Sequence, residues 1–525
     1  MEAFSLLTTP WLPVRYKGGS TGKLAPVDLA NENVVDLTAS RADLQGAGWQ
    51  FLIGLLQTAC APKDIEEWEE IWEDGLTAEY VRNALLPLET AFQFGSVTPS
   101  FMQDFSPLVG DAISIATLLP ETPGGQTTKL NKDHFVKRGV SERFCPHCAA
   151  LALFSLQLNA PSGGKGYRTG LRGGGPMTTL IELQRYKGER QTPLWRKLWL
   201  NVMPQDAAGL PIPSNFAADI FPWLAETRTS EQANGITTEQ QVNPLQAYWG
   251  MPRRIRLNFS TLSSGQCDIC GDTSEALLSE MTVKNYGVNY IGWVHPLTPH
   301  RLGLKEGSEL FSVKGQPGGL IWRDWLGLNV RGQSEHNHEY PARVVSLFGA
   351  YPVKERDVVT GLWGFGYDFD NMKVRNWYEH HFPLLLLVDT ERETLHSFLR
   401  QAAQSASRGL SQLRGALKDA WFGEGSSARG DFGFIDVDFW QLTQPLFLRF
   451  IQDLEAGEDP AARFSQWQRD IRGFVRQYFD DRVFTSPEMK SDLKQVMKAR
   501  NKHFSSLEKK SKAKTTRTAK PQEAN

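Results

Sequence analysis

Cysteine is scarce in this chain, with five among 525 residues. That is too few for the disulfide framework of a small secreted protein. Long apolar runs are lacking as well. The longest, FPLLLLV from Phe382, is far too short to span a bilayer. The first residues, MEAFSLLTTPWLPVRYKGG, have no basic start followed by an apolar run, so no signal peptide is expected and a cytoplasmic protein is the default. An excess of one charge is missing too: 57 Lys and Arg face 59 Asp and Glu, for a net charge of −2. A general nucleic-acid coat or a polycation-driven membrane binder would be strongly basic, so any such binding must be local. The nucleophile-elbow pattern G-x-S-x-G is absent. The histidines show no spacing that marks a catalytic metal triad, and H-N-H at His336 and His338 is too short to be a nuclease motif.

What is present is a chain long enough for two or more domains, with 41% apolar residues to build their cores. Sixteen tryptophans point to large cores and interfaces. The first part mixes short apolar runs with Pro/Gly turns. Ala42 to Pro62 reads as a mostly buried helix stopped by Pro62, with Cys60 as a small buried hydrophobe at its end. Alternation in RIRLNFSTL before Gly265 and in VNYIGWVHP before Leu297 predicts strands. From Phe382 the pattern becomes helical, over Thr390–Phe422, Asp436–Gly457, Asp459–Asp481 and Ser486–Phe504. Pro445 is an expected kink, Asp459 an N-cap, and Ser486 with Pro487 a second start signal. The expected fold class is therefore α+β: a mixed domain over residues 1–381, a four-helix bundle over 382–505, and a disordered basic tail over 506–525.

Four of the cysteines form two C-x₂-C knuckles, Cys145/Cys148 in FCPHC and Cys267/Cys270 in QCDICG. Four thiolates match tetrahedral Zn²⁺, and a site closed by four protein ligands is structural rather than hydrolytic. His147 is an alternative to one of the four. The wide separation means the metal would staple two distant segments into the mixed domain.

Just after the first knuckle comes NAPSGGKGYRTGLRGGGP, Asn159 to Pro176, with seven glycines, one lysine and two arginines. It fails as a phosphate-binding P-loop, because Asn159 stands where the first glycine belongs and Gly166 where Ser or Thr belongs. It fails as a dinucleotide fingerprint at Thr169. What remains is local charge: from Thr128 to Arg172 there are eight Lys/Arg against two acids. Cations, exposed main chain and the aromatics Phe135 and Tyr167 together suit a nucleic-acid surface.

The order of motifs carries a resemblance. LLTTPWLPV, APKD, FMQ at Phe101, CPHCAALALF, the glycine stretch with GLRGG, CDICG, GWVHPLTP and a helical end follow one another. The chain resembles the large-subunit (CasA) family of the type I-E CRISPR Cascade complex. The resemblance implies a non-enzymatic subunit of an RNA-guided surveillance complex that recognises the protospacer-adjacent motif through the minor groove of double-stranded DNA. It implies a start of duplex opening and recruitment of a helicase-nuclease. The implied partners are the other Cascade proteins, CRISPR RNA, target DNA and that nuclease. The family's glycine loop matches Ser162, Gly163, Gly164, Lys165 and Gly166, and bulk at these glycines is expected to hold the main chain off the groove floor. The minor-groove lysine best matches Lys284. The wedge hairpin best matches GYDFDNMKV, with Asn371 in a role often held by Gln and Asp370 and Met372 beside it. A further loop that touches the motif region best matches Phe135, Val136 and Lys137, with Arg138 next in the chain. Two other readings stand beside this one: a stand-alone zinc-stabilised nuclease, and a scaffold whose basic loops bind RNA or a protein.

Overall fold

The protein is described here from a computed structural model covering residues 2–123, 129–130, 139–189, 191–232, 235–334, 337–351, 353, 358–370, 372–384, 392–427, 432–485 and 492–515, with backbone alone at 392–393 and 505–515. It is a mixed α+β structure that divides into two compact units. The first comprises Met1–Leu320 and Gly327–Leu384; the second comprises Ile321–Leu326 and Leu385–Asn525. Among the described residues no helix is long and apolar enough to cross a membrane.

The first unit is built around helix α1 (Ala42–Ala59), which is buried on almost every face because nearly every residue is apolar or small. Phe51 at its centre meets Trp11, Phe92, Phe101, Phe154 and Trp249 edge to face, at centroid distances of 5.4 to 6.0 Å. Such contacts add to the large area each ring removes from water. Cys60 caps the helix and is fully buried, which pushes its thiol up to about 12 and makes it a packing residue. Helix α2 (Pro146–Asn159) starts on Pro146, and its N-cap is Cys145, whose Sγ accepts the Cys148 N–H.

The strands that position the site are β1 (Leu12–Tyr16), β2 (Thr21–Leu24), β3 (Val34–Leu37), β4 (Ala112–Ser114), β5 (Thr178–Arg185), β6 (Arg254–Leu257), β7 (Ser263–Gln266), β8 (Thr273–Leu277), β9 (Glu280–Lys284), β10 (Val359–Asp370) and β11 (Lys373–Pro383). They form small antiparallel sheets in the orders β2-β1-β3, β4-β9-β6, β7-β8 and β11-β10-β5. The strand expected in RIRLNFSTL is β6. The one expected in VNYIGWVHP is not a strand. Val288, Tyr290 and Trp293 point into a cluster with Leu171 and Ala247, but the backbone makes only a single bridge, Tyr290 to Thr237. Gly292, at φ +75°, and Pro296 break the ladder, so the alternation reports burial without strand pairing.

The second unit contains four long helices, α3 (Arg392–Phe422), α4 (Gly433–Glu455), α5 (Pro460–Phe484) and α6 (Leu493–Thr515), among the described residues. Asp459 caps α5 by accepting the Ala462 N–H at 2.9 Å. Pro445 lies inside α4, which continues through it. Trp322 joins this unit: its Nε1 donates to Trp440 O and Thr443 Oγ1 at 3.1 Å each, and its ring stacks on Phe447. The start signal at Ser486 and Pro487 lies outside the described residues. Helix α6 runs on to Thr515, through residues whose polar composition predicts disorder. That stretch, SLEKKSKAKT, contains no Gly or Pro and is rich in good helix formers.

Candidate nucleic-acid interface and metal centre

The two cysteine knuckles meet. Cys145 and Cys148 lie at the start of α2, and Cys267 and Cys270 lie in the turn between β7 and β8. A backbone bridge between Phe144 and Leu278 locks the two segments together. All four sulfurs lie within 4.8 Å of one another, and Cys145 Sγ is 3.9 Å from Cys270 Sγ. Four thiolates around zinc at about 2.3 Å stand roughly 3.8 Å apart, so the arrangement fits a tetrahedral ion. The backbone supports thiolate character: Cys145 N–H donates to Cys267 Sγ at 3.2 Å and Ile269 N–H donates to the same sulfur at 3.4 Å. Hydrogen bonds among the sulfurs push the Cys148 thiol up and pull Cys267 down. Among the described residues this is the one group of three or more His, Cys, Asp or Glu side chains able to hold a metal ion. His147 is not part of it. Its ring packs edge-on against Phe4 at 5.6 Å, and burial, with Lys23 nearby, pushes its pKa down to about 4.

The glycine stretch divides into two parts with different jobs. The first, Ser162 to Gly166, is a surface turn in which Ser162, Gly164 and Lys165 are exposed. Its main chain is tied to the end of β9. Tyr286 N–H donates to Gly166 O at 2.7 Å, and Asn285 Nδ2 donates to Lys165 O at 2.9 Å. Lys284, exposed and last in β9, therefore stands next to the loop, although it lies far away in sequence. Tyr286 sits at φ +61°, a strained setting for a residue with a side chain. The three glycines of this loop are not equivalent. A methyl on Gly164, at φ +92°, meets nothing within 4 Å. One on Gly163 would strike Tyr167 Cβ at 2.7 Å, and one on Gly166 would strike Asn285 Cβ at 2.9 Å. Only Gly164 leaves its main chain open to an approaching molecule. At Gly163 and Gly166 an added methyl would meet the protein's own side chains first.

Arg253 pins the other end of the loop. It precedes β6, its backbone N–H donates to Gln157 Oε1 of α2 at 2.9 Å, and its Nη2 donates to Pro161 O. Its guanidinium lies 4.8 Å from the Tyr167 ring centroid. Burial pushes its pKa down to about 10, so it stays charged at neutral pH. Arg253, Asn285 and Tyr286 are residues that sequence reasoning misses, and Tyr167, read there as a surface aromatic, packs under the Arg253 guanidinium. Their signal is a three-dimensional contact between segments more than ninety residues apart.

The second part, Gly170 to Pro176, is packed inside. A methyl on Gly175, at φ +65°, would lie 2.3 Å from the Phe369 ring and 3.0 Å from Tyr367 O. Arg172 is buried and donates to Thr178 Oγ1, Thr298 Oγ1 and Gln50 Oε1 at 2.8 to 3.0 Å. Arg168 donates to Ser230 Oγ and O at 2.7 and 3.0 Å. Both count toward a basic surface when charge is summed along the chain, but Arg172 is spent inside the fold and Arg168 is held in a part-buried contact. Such a sum cannot tell a surface cation from one that satisfies interior oxygens.

Strands β10 and β11 form a long hairpin. Asp370 pairs with Lys373 at the closed end of the hairpin. Asp370 and Met372 are exposed, Met372 at 53%. A bulge falls between Asp368 and Phe369, and Asp368 is buried in a two-pronged contact with Arg375 at 2.5 and 3.0 Å. Asn371, Phe135, Val136, Lys137 and Arg138 lie outside the described residues. The structure thus brings the 162–166 loop beside Lys284, and it sets the neighbouring 173–175 turn against the hairpin.

The family model for CRISPR-associated protein Cse1 matches residues 5–478. The fold is similar to that of the Thermobifida fusca Cse1 crystal structure, with a TM-score of 0.72 and 18% identity over 97% of this chain and 98% of that one. A crystal structure of CasA from Thermus thermophilus gives a TM-score of 0.69 at 17% identity, over 96% of this chain and 99% of that one. A chain of a CRISPR RNA-guided surveillance complex gives 0.67 at 16% identity, over 97% and 100%. With the family pattern matched across most of its length and the same architecture from end to end, the chain belongs to the CRISPR-associated Cse1 family.

Proposed function

We propose that this chain is the large, non-enzymatic subunit of an RNA-guided surveillance complex and that it reads the protospacer-adjacent motif in double-stranded DNA. The observation that carries the reading is the exposed turn at Gly164, tied through main-chain contacts to the strand end that bears Lys284. A side-chain-free main chain flanked by Lys165 and Lys284 suits the minor groove, which is narrow and offers mainly an A·T-versus-G·C distinction. Such a reader tolerates several related motifs. The hairpin tip at Asp370, Asn371 and Met372 is the wedge. Inserting it replaces one stacking contact and starts strand separation, at a cost of a few kcal/mol that guide pairing offsets. Phe135, Lys137 and Arg138 add contacts near the motif.

The four cysteines hold Zn²⁺ as a structural ion, since four sulfur ligands leave no open position. The zinc fixes the N-terminus of α2, and the glycine loop departs from the other end of that helix. The four helices of the second unit form a bundle that, with the rest of the chain, meets the other Cascade proteins, the CRISPR RNA and the helicase-nuclease. The complex works in the cytoplasm.

The test uses the assembled, guide-loaded complex and duplex panels in which the bases beside a guide-matched target vary. Wild type is expected to discriminate among motifs, and Gly164→Asp to lose that discrimination by placing a carboxylate against the groove. Equal binding of all duplexes by both proteins would move motif recognition to another subunit.

A further inference from the structure

We infer that Lys314 is a phosphate-binding residue for the DNA backbone between the motif-reading loop and the hairpin tip. The inference rests on the DNA reading above and adds a contact to it.

The position of Lys314 follows from main-chain packing. Its backbone bridges to Pro176, and Met177 N–H donates to the preceding carbonyl, Val313 O, at 2.7 Å. On its other side, a methyl on Gly315 would lie 2.6 Å from Tyr367 O, so the segment runs directly against β10. Lys314 is thereby fixed to the turn Gly173–Gly175, and this turn is where the two working elements meet. Gly174 abuts the loop: a methyl there would lie 3.2 Å from Pro161 Cα and 3.6 Å from Ser162 N. Gly175 abuts Phe369, one residue before exposed Asp370. Gly173 lies under the lysine side chain, since a methyl there would lie 3.6 Å from Lys314 Cε and 3.7 Å from Nζ. Lys314 itself is exposed, and among the described residues no carboxylate pairs with it.

An ammonium on a flexible stem is a point charge suited to a phosphate, which positions a duplex without reading its sequence. A duplex engaged at Gly164 and parted at the hairpin tip must carry its backbone across the ground between them. Lys314 is the cation that the fold anchors at that junction, and three successive glycines keep other side chains away from it.

The test measures duplex binding by the assembled, guide-loaded complex as a function of salt. One phosphate contact contributes a slope of about 0.9 in log K against log salt, which is roughly an eightfold effect at 0.1 M. Lys314→Ala is expected to weaken motif and random duplexes by the same factor, about eightfold at 0.1 M salt, and to lower the slope by about 0.9. Lys314→Arg is expected to keep both. An unchanged slope in Lys314→Ala would overturn the inference. So would a loss confined to guide RNA retention, which would assign the cation to RNA. Lys284→Ala and Gly164→Asp are measured alongside. If they impair duplex binding while Lys314→Ala does not, only this inference fails; if none of the three matters, the DNA reading fails.

Discussion

Replacing Arg253 with Met should loosen the 162–166 loop while leaving the fold intact. The side chain makes one charged hydrogen bond, to Pro161 O, and one cation–π contact, to Tyr167 at 4.8 Å. By mutational precedent these contribute about 2 kcal/mol and about 1 kcal/mol. Its Nε is buried without a partner, which subtracts about 1 kcal/mol. The net tie is about 2 kcal/mol, or a factor of about 30 in the equilibrium for loop opening. Met keeps most of the apolar stem that fills the space. Amide hydrogen exchange reads the result directly. The Tyr167 and Tyr286 amides donate to Gly164 O and Gly166 O, so their protection should fall about 30-fold. Amides in the centre of α1 should not change. Preference for motif over random duplex should fall with loop order. Unchanged protection at both tyrosines would refute the reasoning, because the loop would then be held by β9 alone. A uniform fall across α1 would refute it in the other direction, making Arg253 a residue of the global core.

The two halves of the glycine stretch should respond differently to one added methyl. Gly175→Ala combines positive φ with a clash on Phe369 and should cost about 2 to 4 kcal/mol by denaturant melting, whereas Gly164→Ala, in open space, should cost about 1 kcal/mol. Cys267→Ser with Cys270→Ser should lower bound zinc from about one ion per chain to none and reduce the melting temperature; unchanged metal content and melting temperature would rule out the zinc site. His381 Nδ1 lies 3.0 Å from Glu182 Oε2. The Glu182 hydrogen bond raises the His381 pKa, and although burial works the other way, the His381 contact leaves Glu182 lowered. The His381 contribution is complete below its unfolded pKa and lost as pH rises through the raised one; that of Glu182 is lost as pH falls through its lowered one. The pair should therefore help most between about pH 5 and 6.5. Because both groups are partly exposed, the effect should be a few tenths of a kcal/mol, seen as a melting difference between wild type and His381→Gln that is larger at pH 6 than at pH 8.

Some of this is legible in the sequence for a clear reason: the information is local. The knuckles announce themselves because two cysteines at C-x₂-C spacing already fit one metal edge. Helix α1 is legible from a segment rich in apolar and small residues that Pro62 stops, and the start of α5 from Asp459 and Pro460. The glycine-rich segment is legible as a turn, but which of its glycines has open space beside it is not. That depends on Asn285 and Tyr286, which follow Lys284 in another part of the chain. Arg253 is invisible for the same reason, since its partners Pro161 and Tyr167 lie in a different segment. Arg172 misleads because a guanidinium in a glycine-rich segment looks solvated, whereas here three neutral oxygens surround it. The strand expected at VNYIGWVHP fails because alternation records which side chains are buried, and burial can be met by packing on Leu171 without a neighbouring strand.

The pairing of the two cysteine knuckles also sets a schedule. Cys145 and Cys267 are 122 residues apart. At a synthesis rate of about 5 to 20 residues per second, the first pair leaves the ribosome roughly 6 to 24 s before its partners exist. During that interval Cys145 and Cys148 are two thiols at the start of a nascent helix without the pair they meet in the fold. The glycine loop and Lys284 lie on either side of this wait, one made early and the other just after the second knuckle. The setting of the loop beside Lys284 is thus completed last: arrival of Cys267 and Cys270 brings the early segment to the late one.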